Sequence, residues 1–436
     1  MSNPDESLKY RLRLIWEYKD VLRNHIPPVT KCCIKYAQRK QLLAAHRLKG
    51  KEKIDVAFFL PFSGAWKSDY LFQAMRDNPR YNPYIVIYPY SFYKGFAKDE
   101  VDEMFNRTKK FVADKGFEYR IPYDEKKHRW LDPKKEYQPD IVFFTVPYKD
   151  YPKRYFVYHY SDTLTCYVPY GFSSLNLLHI NYDLIFHNLV GMHFVETEIH
   201  KQTAAENSRN HGSNVYITGY PGTEVFLHKD YIPTDVWKPQ SVNKKRLIWA
   251  PHHTMQGNYT SSTFLCYSEE MLRLAKKYSN NVQFVFKPHP LLKFKLQLMW
   301  GEDRTNEYYK QWEELENGQL EQSSYIDLFL TSDAMIHDCG SFTTEYMFTK
   351  KPVMYLTQPN INMEHQFSPF GVHSYHRHYH GASVADIEHF IEDVVIGGND
   401  PMADERKQFF DQYLAPKDGL LPSEKIIKLI EERIDN

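Results

Sequence analysis

Two short motifs in the second half of the chain carry residue types that bind phosphate groups. Phe286-Lys287-Pro288-His289-Pro290 places a cation and an imidazole on a turn that two prolines hold rigid, after an apolar strand. Residues 332–345 then pass from a buried strand through a small, hydroxyl-rich turn into a helix, as in the phosphate sites of α/β folds. Together the motifs predict a nucleotide-linked donor held beside a histidine, and so a transferase.

His289 is the first candidate for a catalytic role. The end of its strand lies at the carboxyl edge of a predicted sheet, where ligands of open α/β folds bind. A neutral imidazole there could exchange a proton, and an imidazolium could bind phosphate. Lys287 either pairs with the same phosphate or is a solvated lysine at the strand end.

The second motif has two interpretations. Gly340 would let the backbone approach a ligand, and Ser341, Thr343 and Thr344 offer hydroxyls beside the free N–H groups of the first helical turn. Alternatively the turn is an ordinary helix cap that Glu345 completes as a capping box. Asp338 either organises the turn or contacts the ligand. The predicted donor-binding residues are Lys287, Pro288, Asp338, Gly340, Ser341, Phe342, Thr343, Thr344 and Glu345.

His252 and His253 follow the first strand of the second half and should face the same edge. Paired histidines raise the question of a metal, but adjacent side chains rarely point the same way without a third nearby ligand. Contacts with phosphate or polyol are therefore preferred, and either histidine is an alternative for the catalytic base. No Asp-x-Asp pair occurs in the chain. Neither a metal nor a cofactor is expected.

Weaker signals lie in the first half and near the end of the chain. Tyr170 and Gly171, with His187 and Asn188, follow apolar segments and could line the acceptor side of a cleft. The histidine-rich run at residues 373–380 resembles a metal-binding tract only in composition, so it is interpreted as a loop near the cleft.

The elements that position these residues alternate between apolar strands and helices. In the first half, strands are predicted at residues 54–61, 84–88, 141–146, 165–168, 184–187 and 215–218. In the second half they are predicted at residues 246–250, 282–286, 334–336 and 353–356, with a helix around 315–320 and a last helix over 423–434. Such alternation indicates parallel βαβ units. The predicted fold class is α/β, with two Rossmann-like, doubly wound domains facing a cleft.

Composition narrows the function further. The 436 residues include 55 Lys and Arg and 55 Asp and Glu, so the net charge of zero gives no reason to expect nucleic-acid binding. The five cysteines lack a CxxC pair and predict reduced thiols in a cytoplasmic protein. No apolar run of membrane-spanning length occurs. Residues 1–53 are basic and have helical spacing, which fits either a membrane-surface helix or a helical pair packed on the first domain.

Several segments, in order, resemble the CDP-glycerol glycerophosphotransferase family, which builds teichoic-acid-like and capsular polymers. The likeness covers roughly residues 180–436 and lies in residues 217–221, 248–251, 287–290, 332–345, 351–355, 409–411, 418–419 and 423–424. The resemblance implies a GT-B fold, a CDP-polyol donor bound mainly by the C-terminal domain, and action at the cytoplasmic face of the membrane. His289 matches the family's functional histidine, and Ser341 and Thr343 lie in its phosphate-binding turn.

The chain departs from that family at two points. The family's Trp-His-Gly-Thr-Pro stretch, whose histidine is taken as the acceptor-side base, corresponds to Tyr167-Val168-Pro169-Tyr170-Gly171, which has no histidine. The family's Pro-Thr-x-Arg corresponds to Pro251-His252-His253-Thr254. These two departures leave the catalytic base, the acceptor and the exact donor open.

The sequence hypothesis is a polyol-phosphate transferase that uses a CDP-activated donor and releases CMP. Its predicted parts are a basic helical segment (1–53), an acceptor domain (54–235) and a CDP-donor domain with the terminal helix (236–436). The predicted partners are the CDP-polyol, a glycan or polyol-phosphate acceptor and an anionic membrane surface, with no nucleic acid. The alternatives are a glycosyltransferase that uses a nucleotide sugar and a non-catalytic scaffold that binds a glycan or a partner.

Overall fold

A computed structural model of the protein describes residues 27–89, 98–148, 152–255, 261–322 and 325–436. These residues form two compact units. The first comprises the described residues up to Gly171 together with Leu177–Gly222 and Asp418–Asn436, and the second comprises Phe172–Asn176 and Thr223–Lys417. Each unit contains one parallel sheet and the helices that connect its strands.

The first unit is built on a seven-stranded sheet with the order β3-β2-β1-β6-β7-β8-β9, in which all neighbouring strands are parallel. A short antiparallel hairpin, β4–β5, stands beside it. Its elements are α1 (Pro27–His46), β1 (Ile54–Leu60), α2 (Asp69–Asp77), β2 (Tyr81–Ile87), α3 (Lys98–Asp114), β3 (Tyr119–Arg120), β4 (Tyr123–Asp124), β5 (Arg129–Trp130), α4 (Pro133–Tyr137), β6 (Ile141–Phe144), β7 (Leu164–Tyr167), α5 (Ile185–Leu189), β8 (Met192–Val195), α6 (Glu198–Asn207) and β9 (Val215–Ile217).

The second unit is built on a six-stranded parallel sheet with the order β12-β11-β10-β13-β14-β15. Its elements are β10 (Lys245–Ala250), α7 (Phe264–Lys277), β11 (Val282–Phe286), α8 (Leu292–Trp300), α9 (Glu302–Glu314), β12 (Gly318–Leu320), α10 (Ile326–Thr331), β13 (Ala334–His337), α11 (Phe342–Glu345), β14 (Val353–Leu356), α12 (Pro369–Tyr375), β15 (Tyr379–Gly381), α13 (Val384–His389) and α14 (Ala403–Phe409).

Both sheets have the strand order of the Rossmann fold, with the first strand in the middle and the fourth beside it. All residues of β11 and β13 are buried, because helices cover both faces of a parallel sheet. In the second unit the strand order reverses between β10 and β13. Ligands of such sheets bind at this point, outside the carboxyl ends of the strands.

Helix α1 packs on the first unit instead of standing apart from it. Its Ile34 and Ala44 are 5% and 2% exposed within the core of that unit. Gln41 is also buried, and its amide accepts the N–H of Thr165 at 2.8 Å and donates to the carbonyl of Thr163 at 2.9 Å. For residues 27–46 the packing alternative therefore holds. The residues before 27 in the predicted basic segment lie outside the described part.

The last helix, α15 (Pro422–Asp435), corrects the predicted domain boundaries. The sequence assigned it to the second domain, but it packs against α2 and α1 of the first unit. Ile426, Ile430 and Ile434 are fully buried in the core of that unit. Helical spacing reveals an apolar face but not its partner.

Two element predictions in the interior were also wrong. Residues 184–187 were predicted as a strand, but they belong to the start of the short helix α5, and the strand follows at β8. Residues 315–320 were predicted as helical, whereas α9 ends at Glu314 and residues 318–320 form β12. A short apolar run does not distinguish a buried strand from a buried helix.

Candidate active site

The predicted donor residues lie on three loops at the carboxyl edge of the second unit's sheet. The loop after β10 carries His252 and His253, the loop after β11 carries Lys287 and His289, and the turn after β13 begins at Asp338. Backbone hydrogen bonds from Lys287 N to Trp249 O, 2.8 Å, and from His289 N to Pro251 O, 3.1 Å, hold the first two loops together. The structure therefore brings both predicted motifs to the point where the strand order reverses.

The three histidines of these loops form a cluster. The ring centroids of His252 and His253 lie 4.4 Å apart, and the ring of His289 lies 4.7 Å and 4.2 Å from them. One nitrogen from each ring lies within 4.8 Å of the others, and among the described residues this is the group of three that could hold a metal ion. Sequence spacing did not reveal this, because His289 is distant along the chain.

Burial keeps the three imidazoles neutral near neutral pH. It lowers the pKa of His252 to about 2, that of His253 to about 4 and that of His289 to about 3. The ammonium of Lys295 on α8 lowers all three pKa values further. A neutral ring offers one N–H donor and one lone pair, so the cluster can donate to an anion or coordinate a metal.

Lys287 adds a buried cation to the same edge. Its residue is 8% exposed, and burial lowers the pKa of its ammonium to about 8 while Glu321 partly opposes that shift. A lysine in this position is mostly protonated at neutral pH and has lost most of its hydration. The interpretation as a solvated lysine at the strand end does not fit this burial.

Asp338 organises the site through its carboxylate. It accepts hydrogen bonds from the backbone N–H of His252, the backbone N–H of Thr263 and the hydroxyl of Thr263, the last at 2.8 Å. Asp338 is fully buried, and burial raises its pKa to about 6. Of the two predicted roles, the structure gives it the role of tying the turn after β13 to the loop after β10 and to the start of α7.

The turn after β13 differs from the phosphate-binding helix N-terminus that the sequence predicted. No side chain caps its helix, α11, at Ser341, so the proposed capping box does not form. The Thr343 hydroxyl donates to Cys339 O at 3.0 Å, and the Thr344 hydroxyl bonds that of Ser174 at 2.8 Å. Both threonines are fully buried, which leaves Ser341 as the accessible hydroxyl.

The remaining predicted donor residues pack the turn. Phe342 contacts the rings of Tyr325 and Phe329, with centroids 5.2 Å and 5.0 Å away. Glu345 is 2% exposed and bonds the Tyr325 hydroxyl; burial, and after it the Glu345 carboxylate, raise the pKa of that tyrosine well above its usual value. Gly340 is needed for packing, because a Cβ there would lie 2.7 Å from the Leu175 side chain. Pro288 is buried in the turn before His289.

In the first unit, Tyr170 belongs to an aromatic group at the carboxyl edge of the sheet. Its hydroxyl bonds that of Tyr148 at 2.7 Å, and its ring lies 6.4 Å from Phe62. Phe62 follows β1, Tyr148 follows β6 and Tyr170 follows β7, so they meet where that sheet reverses its order. Gly171 follows directly and is partly exposed. The acceptor-side role of Tyr170 and Gly171 stays a prediction.

His187 and Asn188 lie in the interior of the first unit. His187 is 2% exposed, stacks on His193 with a centroid distance of 5.2 Å, and burial lowers its pKa well below the usual range. Asn188 donates to Asp183 at 2.9 Å and accepts from Asn210 N at 2.8 Å. These contacts indicate packing, because neither side chain presents a face to a substrate.

The histidine-rich run does not assemble into a metal site within the described residues. His378 is buried beside His337, with ring centroids 5.2 Å apart, whereas His373 and His376 are exposed on α12 and after it. Two further residues that were not predicted as site residues contact or act on the cluster: Thr254, which bonds Nδ1 of His252 at 2.9 Å, and Lys295. Thr254 directly follows the paired histidines in the sequence, whereas only its proximity to the cluster identifies Lys295.

Comparison with known proteins gives one family match. A family model described as CDP-glycerol:poly(glycerophosphate) glycerophosphotransferase matches residues 183–432, which is more than half of the chain, and the match confirms the resemblance noted in the sequence. No curated protein matches the chain by sequence.

Solved structures share the fold. The wall teichoic acid polymerase TagF is 15% identical, with a TM-score of 0.55 over 97% of this chain and 98% of that one. A UDP-N-acetylglucosamine 2-epimerase from Listeria monocytogenes, described as putative in that structure's name, is 17% identical, with a TM-score of 0.54 over 88% of this chain and 97% of that one. The UDP-GlcNAc 2-epimerase from Neisseria meningitidis is 13% identical, with a TM-score of 0.52 over 88% and 100%. These likenesses confirm the predicted fold, two Rossmann-like domains of the GT-B class.

Proposed function

The chain belongs to the CDP-glycerol:poly(glycerophosphate) glycerophosphotransferase family, and we propose that it transfers a polyol phosphate, such as glycerol phosphate, from a CDP-activated donor to an acceptor hydroxyl. The acceptor is a cell-surface glycan or a polymer precursor. In the reaction the acceptor oxygen bonds to the β-phosphorus, which carries the polyol. The bond from that phosphorus to the bridging oxygen breaks, CMP leaves with the bonding electrons, and the acceptor proton passes to a base or to water.

The observation that carries this proposal is the convergence of three neutral imidazoles, with Lys287 acting on His289, at the reversal point of the second sheet. A buried ammonium and N–H donors, held before substrate arrives, stabilise the charge that develops on a leaving phosphate. His289 can donate a hydrogen bond to that phosphate through Nε2. Its Nδ1 accepts the backbone N–H of Leu291 at 3.1 Å, which leaves the proton of the neutral ring on Nε2.

The same electrostatics argue against His252 and His253 as the base. An efficient general base has a pKa near the working pH, and burial lowers the pKa of both rings well below that. Their geometry supports contacts with the donor side. The base that activates the acceptor hydroxyl therefore lies outside this cluster in the proposed mechanism.

A donor panel tests the proposal. The protein is incubated with CDP-glycerol, CDP-ribitol, UDP-sugars and CMP-sialic acid, and the released nucleotide is separated and quantified. CMP release from a CDP-polyol in the presence of an acceptor is expected. UDP release would favour a nucleotide-sugar glycosyltransferase on the same fold. If no nucleotide raises the unfolding temperature, the chain is a scaffold and the proposal fails.

We also propose that the protein works at the cytoplasmic face of an anionic membrane. No helix within the described ranges is long and apolar enough to span a bilayer. Helix α8 and the residue before it, however, expose Leu291, Phe294 and Leu298 by 41%, 49% and 73%. These residues recur at spacings of three and four, on the face that also holds Lys295, which is the pattern of a helix that lies on an anionic surface.

Vesicle sedimentation tests this surface. The full chain is expected to bind phosphatidylglycerol vesicles and to bind neutral phosphatidylcholine vesicles more weakly. Leu298→Glu should reduce binding, whereas Ile232→Glu is a matched control because Ile232 is 88% exposed outside α8. Equal binding by both variants would refute α8 as the contact.

A further inference from the structure

The histidine cluster has the composition of a metal site as well as that of an anion site. Adjacent histidines seldom share a metal without a third ligand, and the structure supplies that ligand from a different loop. We propose that His252, His253 and His289 form a binding site for a transition-metal dication of the Zn²⁺ class. The site coincides with the proposed diphosphate site, so this inference deepens the proposed function without needing catalysis for its test.

The distances between the rings suit a small ion after modest side-chain rotation. The nitrogens lie within 4.8 Å of one another. A four-coordinate zinc with bonds of about 2.0–2.1 Å places its ligand atoms roughly 3.4 Å apart. Each ring therefore moves inward by about 1 Å or less to reach bonding distance.

The surroundings of two rings support coordination. Nδ1 of His252 bonds the Thr254 hydroxyl at 2.9 Å, and that oxygen also accepts the N–H of Ser261. If His252 donates to Thr254, its Nε2 carries the lone pair, and Thr254 fixes the ring as an outer partner of a metal ligand does. Nδ1 of His253 is buried and has no hydrogen-bond partner among the described residues, so a ligand there would satisfy it.

His289 must exchange one contact to coordinate. Its Nδ1 accepts the N–H of Leu291 at 3.1 Å in an exposed part of the loop. Rotation of the ring releases this bond and turns a lone pair toward the other two histidines. Loss of one exposed hydrogen bond is a small cost, since water replaces the partner.

The ligand set selects the kind of ion. Three imidazole nitrogens suit Zn²⁺, Co²⁺ or Ni²⁺, whereas Mg²⁺ and Ca²⁺ prefer oxygen ligands. Three protein ligands leave at least one coordination position open. Water fills it in the resting protein, and an oxygen of the donor diphosphate would replace that water if the proposed function holds.

Lys295 opposes the metal and provides a sensitive test. Its ammonium acts on all three rings, so it repels a bound dication as well. Lys295→Gln should therefore tighten metal binding. A site for anions alone would bind Zn²⁺ neither in the parent nor in this variant, and the substitution would only weaken binding of inorganic pyrophosphate.

Calorimetry on the full, untagged chain tests the site. The protein is stripped with EDTA, returned to metal-free buffer and titrated with ZnCl₂ alone, and one ion is expected to bind per chain. His252→Ala, His253→Ala and His289→Ala should each weaken binding at least about tenfold, and Thr254→Val about 10–100-fold, as outer partners of metal ligands do. His389→Ala is the control, because that histidine is exposed on α13. Four-coordinate Co²⁺ should also give intense visible absorption.

Thermal unfolding in EDTA shows whether each variant folds, and His253→Asn and His289→Asn replace any alanine variant that does not. Binding well below one ion per chain, or equal binding by His253→Ala and His389→Ala, would overturn the inference. Metal binding without CMP release from the donor panel would leave the site standing and refute the proposed function. CMP release by protein that binds no metal would refute the metal site and leave the proposed function standing.

Discussion

At the scale of single residues, His289 shows how one backbone hydrogen bond determines what a side chain can do. The N–H of Leu291 occupies Nδ1 of His289, so in the metal-free protein the neutral ring presents Nε2–H as a donor. The proline turn predicted a histidine at the sheet edge. It did not predict the tautomer, because that depends on a contact two residues later along the loop.

Substitution at this position separates a hydrogen-bond donor from a proton-transfer group. In EDTA, His289→Ala should reduce CMP release by about 10²–10³, the loss typical of one preorganised donor. His289→Gln retains an N–H at a similar reach and should recover at least about tenfold of that loss, which a proton-transfer role would not allow. Single-turnover release of CMP is the measurement. Activity of His289→Ala within a few-fold of the parent would contradict both roles.

The buried Lys351 makes the free energy of unfolding depend on pH. Its ammonium donates to Phe329 O and Leu330 O at 3.1 Å and 2.6 Å, and burial lowers its pKa from 10.5 to about 8. Asp333 and Arg246 face it and act in opposite directions. Between about pH 8 and pH 10.5 the lysine is protonated in the unfolded chain but largely neutral in the folded one. The unfolded chain therefore binds more protons, and the free energy of unfolding rises with pH over this range.

Lys351→Met removes this titration. The stability of the parent minus that of the variant should rise by about 1–3 kcal/mol from pH 8 to pH 10.5. Urea unfolding across that range is the measurement. Lys428→Met, at an exposed position on α15, is the control and should leave the difference flat. A difference that falls with pH would mean that the buried ammonium is favoured by the fold.

At the scale of elements, the sequence correctly placed the loops after β10 and β11 at the carboxyl edge of the second sheet but misjudged the turn after β13. The pattern of Gly340, Ser341 and the two threonines indicated a helix N-terminus open to phosphate. In the structure the Thr343 and Thr344 hydroxyls instead form hydrogen bonds with other groups of the protein, and no side chain caps α11. A hydroxyl in the sequence carries no sign of whether its partner is a ligand or the protein. Partners such as Ser174 are distant along the chain.

Gly340 allows a test of that packing. Leu175 is held by backbone pairing with Phe367 and cannot easily withdraw from a Cβ added at Gly340. Gly340→Ala should cost about 1–3 kcal/mol of stability, as overpacking does. The double variant Gly340→Ala/Leu175→Ala should lose less stability than the two single variants lose together, with a coupling energy of about 0.5–3 kcal/mol. Additive effects, measured by urea unfolding, would show that the glycine is needed for another reason.

At the scale of the whole molecule, the alternation of strands and helices was enough to predict two Rossmann-like domains. It was not enough to predict how the chain is shared between them. Residues 172–176 belong to the second unit although they interrupt the first, and α15 returns to the first unit after the second is complete. Strand order follows from general rules of βαβ connection. The return of a helix such as α15 to the first unit depends instead on which apolar surface of that unit the other elements leave uncovered.

The return of α15 predicts that stability of the first unit depends on the end of the chain. Ile430 is fully buried in that unit's core, so Ile430→Ala should cost about 2–5 kcal/mol. Hydrogen exchange should become faster in β1 and β2, whose core this helix completes, and stay unchanged in β10 and β13. Ile232→Ala is the matched control, since the same change at a residue that is 88% exposed removes little buried surface. Faster exchange centred on β10 and β13 would instead assign the helix to the second unit, as the sequence had predicted.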